Sequence, residues 1–157
     1  MSIKSFLKLV EIRTKLASLI PFLLGTVYAL YHFQRFNFIN FILMFGSLFI
    51  FDMFTTALNN YLDYKRAVKK QGYNYEKHNA IVKYNLTETS VLITIAVLFS
   101  LATALGIVLF FNTNIIVLIV GMLSFLVGIC YSFGPVPISR TPLGEVFSGF
   151  FMGFVIL

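Results

Sequence analysis

Six polar residues recur at one spacing inside the apolar run FDMFTTALNNYLDYKRAVKK, residues 51–70. Asp52, Thr55, Thr56, Asn59, Asn60 and Asp63 stand at offsets 0, 3, 4, 7, 8 and 11. At about 100° per residue they fall within roughly 140° of one helix face, and Phe51, Met53, Phe54, Ala57, Leu58, Tyr61 and Leu62 cover the remainder. Asn59, Asn60 and Asp63, at i, i+1 and i+4, present three side-chain oxygens to one region. Oxygen donors with an incomplete shell suit Mg2+, which keeps several waters and is commonly held by one or two carboxylates plus substrate phosphates. One carboxylate is too little charge for a tight site, so a phosphate or another helix has to bring the rest. The adjacent Lys65, Arg66, Lys69, Lys70 and Lys83 suit a diphosphate, and equally suit anionic lipid. Asp52 lies about 16 Å deeper on the same face, where a carboxylate calls for a hydrogen bond to another helix, a proton or an aqueous lining.

The element that holds this face is an amphipathic helix turned inside out, with the polar side the narrow one. Hydrophobic residues make up 59% of the 157, charged residues 11%, and the mean hydropathy is +0.88. Soluble domains carry about 25% charged residues, so the composition describes an integral membrane protein. The expected fold class is all-α, a polytopic transmembrane bundle forming one domain. Its spans fall at about 16–33, 38–62, 91–111 and 115–133, with a fifth starting near 145. A net charge of +6 raises the question of nucleic acid, but the basic residues cluster beside the spans and alternate in side. Eleven of the twelve fall on one side: Lys4, Lys8, Arg13, Lys15, Lys65, Arg66, Lys69, Lys70, Lys77, Lys83 and Arg140, with Arg35 alone opposite. The positive-inside rule makes that side cytoplasmic, including the N-terminus, and the charge is a topology signal and not a nucleic-acid footprint.

Residues 1–15 form a short basic amphipathic lead-in, expected at the cytoplasmic surface with Phe6, Leu7, Leu9, Val10 and Ile12 on lipid and the lysines in water. The apolar run after it is longer than a signal-peptide core and has no small-x-small cleavage site. Residues 64–90 are expected to be a long polar connection, with Thr87 capping the next span. That span, Val91 to Phe111, carries no charge and serves as scaffold; Asn112, Thr113 and Asn114 form an external turn. Cys130, the single cysteine, excludes disulfides and is expected as a small core residue; His78 is expected as a solvated loop histidine. The segment YSFGPVPISRTPLGEVF, dense in Gly and Pro, is a shaped turn. From Val146 to Leu157 only about 18 Å of helix remains against a hydrocarbon core of about 30 Å, so the chain is expected to be the N-terminal portion of a longer protein.

ALNNYLDYKRA resembles the first aspartate-rich motif, N-D-x-x-D-x-x-x-D, of the UbiA-type membrane prenyltransferases. HNAIVKYNLT and YSFGPVPISRTPLGEVFSGFFMG resemble the branch acting on 1,4-dihydroxy-2-naphthoate in menaquinone synthesis. The resemblance covers most of the chain in order. It implies a bundle of about nine spans in a bacterial cell membrane, and Mg2+-dependent transfer of a polyprenyl group from its diphosphate to an aromatic acid. Carried over, Asp63, Asn59 and Asn60 are the metal ligands, Asp63 and Asn60 the catalytic pair, and Lys65, Arg66 and Lys83 the diphosphate contacts. Tyr131, Arg140, Glu145 and Asp52 either shape an acceptor pocket or, for the first three, brace the turn. Two departures stand out: Asn60 occupies a position where an acid is common, and Ala67 replaces the third Asp. A transporter or membrane-scaffold role would also need a polar face on the second span, and 4-hydroxybenzoate is a rival acceptor.

Overall fold

The structure is a computed structural model and describes residues 1–70, 79–132 and 143–150. Every regular element among them is helical. The helices are α1 (Ile3–Leu9), α2 (Leu16–Phe33), α3 (Phe38–Lys70), α4 (Ala80–Lys83), α5 (Glu88–Asn112), α6 (Ile115–Ser132) and α7 (Leu143–Phe150), with a 3-10 turn, Ile12–Lys15, between α1 and α2. Four segments are long and apolar enough to cross a membrane: Ile12–Phe33, Phe38–Arg66, Glu88–Asn112 and Ile115–Ser132. The all-α, polytopic bundle expected from composition is what forms.

Side-chain caps fix where the helices begin. Ser2 Oγ accepts from Ser5 N at 3.2 Å, Asn37 Oδ1 from Asn40 N at 3.1 Å, Asn79 Oδ1 from Ile81 N at 2.9 Å and Asn114 Oδ1 from Ile116 N at 3.0 Å. Each satisfies an amide that the first helical turn leaves without a partner. Thr87 stands at the N-cap of α5, but its hydroxyl pairs with Ser90 Oγ at 2.8 Å and bonds no backbone amide. Helix α2 runs unbroken through Pro21 and ends on Gln34 in the left-handed region (φ 50°).

Helix α3 is the axis of the bundle. It continues to Lys70, past the end expected near Asp63, and at about 1.5 Å per residue its 33 residues span about 50 Å. The supposed 64–90 connection is therefore part helix: α3 takes its start and α4 and α5 its second half, while residues 71–78, with Lys77 and His78, lie outside the described set. Helix α5 packs along α3 through Val91, Ile95, Leu98, Ala102 and Leu109, a stripe no polarity contrast could reveal because its other sides are equally apolar and exposed. Where they meet, Ser47 Oγ donates to Ala102 O at 3.1 Å. Helix α6 lies on another side of α3, with Phe51 and Phe125 rings 4.3 Å apart. A side chain on Gly128 would come within 2.6 Å of Phe51 Cζ and 3.0 Å of Thr55 Cγ2, so glycine is what lets these helices approach.

The core sits at the end of the bundle that carries the N-terminus. Leu9, Val10, Phe54, Ala57, Ala80, Ile81 and Val91 close on one another there. This corrects the expected surface lead-in: Leu9 and Val10 are 0% exposed. The long α3 and α5 form a protein wall at that end, and the apolar face of α1 is spent on that wall, not on lipid. Lys15 departs from expectation in the same way, being 3% exposed and turned inward, whereas Lys4 and Lys8 remain exposed. Cys130, expected in the core, is exposed, because at two residues from Gly128 it lies about 200° round α6 from the face that meets α3.

Candidate functional site

The polar seam of α3 is covered along one edge by the N-terminal segment and along the other by α6. On the first edge, Lys15 Nζ donates to Asp52 Oδ1 at 2.8 Å, to Asp52 O at 3.1 Å and to Thr56 Oγ1 at 2.5 Å. Ser18 Oγ donates to the second carboxylate oxygen, Asp52 Oδ2, at 2.5 Å. Both oxygens of Asp52 are thus engaged inside the protein, which is how a carboxylate at this depth is tolerated. One turn on from Thr56, Asn60 Nδ2 donates to Leu9 O at 2.9 Å and reaches Glu11 Oε1 at 3.3 Å, while Asn79 Nδ2 donates to Asn60 O at 2.8 Å. Asn60 therefore fastens both the lead-in and α4 to α3.

On the second edge, Arg66 Nη2 donates to Ser132 O at 3.3 Å, placing a guanidinium at the C-terminal end of α6, where the helix dipole favours a cation. Between the two edges lies Asn59. Its Oδ1 is buried and has no hydrogen-bond partner among the described residues, and Ser132 Oγ, on a residue 1% exposed, has none among them either. A buried acceptor left without a donor costs about 1–3 kcal/mol, so such an atom calls for a partner that the described residues do not supply. Asp63 follows Asn59 by one turn on the same face and is half-buried.

The other residues expected here are distributed differently. Lys65 lies about 220° round α3 from Asp52, away from Asn59 and Asp63, and is held by Glu88 at the start of α5. Tyr61 OH donates to the same Glu88 Oε1 at 2.7 Å, tying α3 to α5. Lys83, on α4, is exposed; Tyr131 is half-buried near the end of α6; Glu145 is exposed on α7. Arg140 and the turn around it fall outside the described residues. The structure thus gathers Asn59, Asn60, Asp63 and Arg66 on one seam, with Lys65 on the opposite side.

Three residues escaped the sequence reading: Lys15, Glu11 and Ser132. Lys15 looked like one more basic flank, and no local pattern links it to Asp52, 37 residues away. Glu11 is the lone acid of a basic lead-in, the one signal that could have drawn notice. Ser132 stands within the quoted YSFGPVP run beside Tyr131.

Among the described residues no three or more His, Cys, Asp or Glu side chains gather to hold a metal ion. The oxygens of Asn59 and Asp63 nonetheless fit a hard cation with an open shell: the orphaned Asn59 Oδ1 has a lone pair to give, and the deficit of charge leaves room for phosphate oxygens.

The profile of the UbiA prenyltransferase family matches residues 18–157, taking in the seam, Arg66 and α4 to α7. The 1,4-dihydroxy-2-naphthoate octaprenyltransferase of Bacillus subtilis (strain 168) is 30% identical over 144 residues, which cover 92% of this chain and 46% of the relative. The chain spans about half the length of the curated relative it matches. No solved structure matches it. With its membrane-spanning helices and its Asn59, Asn60 and Asp63 seam inside the matched region, the chain belongs to the UbiA prenyltransferase family.

Proposed function

We propose that the protein containing this chain transfers a polyprenyl group from its diphosphate to an aromatic acid, with 1,4-dihydroxy-2-naphthoate as the acceptor. The reaction takes place at the cytoplasmic face of a bacterial cell membrane. The observation that carries the reading is the buried Asn59 Oδ1, without a partner among the described residues and one turn from Asp63, in a chain of this family. Mg2+, when bound, neutralises the diphosphate and helps it leave. Asp63 and Asn59 would hold it through their side-chain oxygens, with Asn60 adding its side-chain oxygen. Arg66 lies on the same seam and stabilises the departing diphosphate, and Lys83 adds charge at the mouth. Lys65, held by Glu88 on the far side of α3, makes no diphosphate contact in this reading. The allylic C–O bond ionises, the electron-rich ring carbon of the acceptor attacks, and in this branch the ring carboxylate is lost as carbon dioxide. Tyr131 and Glu145 serve the acceptor side; Asp52, paired with Lys15, serves the frame.

The acceptor is proposed from the name of the Bacillus relative, whose own acceptor is 1,4-dihydroxy-2-naphthoate. The test uses the intact protein in detergent with a polyprenyl diphosphate. Release of diphosphate is expected to require both Mg2+ and 1,4-dihydroxy-2-naphthoate, and Asp63→Ala is expected to lower the rate at least about 100-fold while the protein still inserts. Turnover with 4-hydroxybenzoate in preference to the naphthoate would overturn the acceptor, and full activity in Asp63→Ala would overturn the site.

A further inference from the structure

Glu11 is a residue for which neither the motif nor the frame accounts. It sits in the left-handed region at φ 49°, a conformation glutamate seldom adopts, at the joint between α1 and the 3-10 turn. The chain is pinned on both sides of it, by the fully buried Leu9 and Val10 before and by Lys15, locked to Asp52 and Thr56, after. The result of that pinning is to hold the Glu11 carboxylate over α3, with Oε1 3.3 Å from Asn60 Nδ2. Lys8, Arg13 and Lys15 are all near in sequence, yet Lys15 pairs with Asp52 and Lys65 with Glu88, and Glu11 takes part in neither pair. Its carboxylate, on an exposed residue, lies beside Asn60, which neighbours Asn59 in sequence and is one turn from Asp63. Asn60 is also the position at which the motif lacks its usual acid.

We infer that Glu11 is a cation-binding carboxylate of this site, delivered from the N-terminal segment to supply the negative charge that Asn60 does not. The inference rests on the reading of Asn59 and Asp63 as a divalent-cation site. It gives the left-handed turn a purpose, since that backbone aims the side chain at the seam. It also makes Asn60 the residue that orients Glu11 as well as one that ties down the lead-in.

The test measures Mn2+ binding by electron paramagnetic resonance, with inorganic pyrophosphate present, on the intact protein in detergent. Glu11→Gln keeps an oxygen for Asn60 and removes only the charge; Glu11→Gly accepts φ 49° without strain and removes the side chain. Both are expected to weaken Mn2+ binding about tenfold with the melting temperature unchanged or, for the glycine variant, raised. Asp63→Asn is expected to weaken it further. Wild-type Mn2+ affinity in Glu11→Gln and Glu11→Gly, with binding lost in Asp63→Asn, overturns the role of Glu11 and leaves the cation site standing. Affinity unchanged in all three variants overturns both. A loss of affinity in Glu11→Gly that Glu11→Gln does not share assigns the effect to the turn and not to the charge, and also overturns the inference.

Discussion

Lys15 is nearly excluded from solvent and Asp52 is 23% exposed, and the pair is closed by Ser18 and Thr56. Removing one partner leaves the other charge inside the bundle without compensation, which is far more damaging than removing both. Lys15→Met and Asp52→Leu are each expected to destabilise the protein by roughly 3–5 kcal/mol, and the double variant by less than either, as read from thermal unfolding in detergent in a double-mutant cycle. The same two residues show where sequence reasoning stops. Asp52 was readable as an acid that needed a partner, because burial of charge is costly everywhere. Which partner it takes depends on how α2 and the lead-in dock, and nothing in the neighbourhood of either residue encodes that. By contrast, Asn59, Asn60 and Asp63 were readable as one face from their spacing alone, since helical periodicity is a local property.

At the scale of elements, α3 and α6 meet through Gly128, and the atom a methyl group would strike is Phe51 Cζ. That ring cannot swing away freely because it packs on Phe125 at 4.3 Å and on Phe54 at 6.0 Å. Gly128→Ala is expected to cost about 1–3 kcal/mol in thermal unfolding, and Phe51→Leu to relieve part of that cost. Gly121, which has open space around it, is the control: Gly121→Ala is expected to change little. The four long helices were legible because runs of apolar residues have a length set by the membrane. Their faces were legible only where polarity varies. Helix α5, apolar all round, hides its inward stripe of Val91, Ile95 and Leu98, and the outward turn of Cys130 could not be told from the inward one of Gly128 until the neighbour of α6 was known. The extension of α3 to Lys70 was missed because a helix leaving the membrane becomes polar, and a polar stretch reads as a loop.

Across the whole molecule, the arrangement of the basic residues predicts which end faces the cytoplasm. Single cysteines placed at Lys4, Lys83 and Arg35, in a protein with Cys130 replaced, are expected to separate cleanly. A membrane-impermeant maleimide applied to intact cells should label position 35 and leave 4 and 83 unlabelled until the cells are opened. The reverse pattern would put the seam's mouth outside and away from cytoplasmic substrates. The Lys15–Asp52 bond also bears on how the molecule is made. The two residues are separated by 37 positions, so when the first span leaves the ribosome its lysine has no counter-charge, and the second span must arrive before that ammonium can be surrendered to the bilayer interior. The first two spans are therefore expected to settle in the membrane as a matched hairpin, closed when the two charges meet.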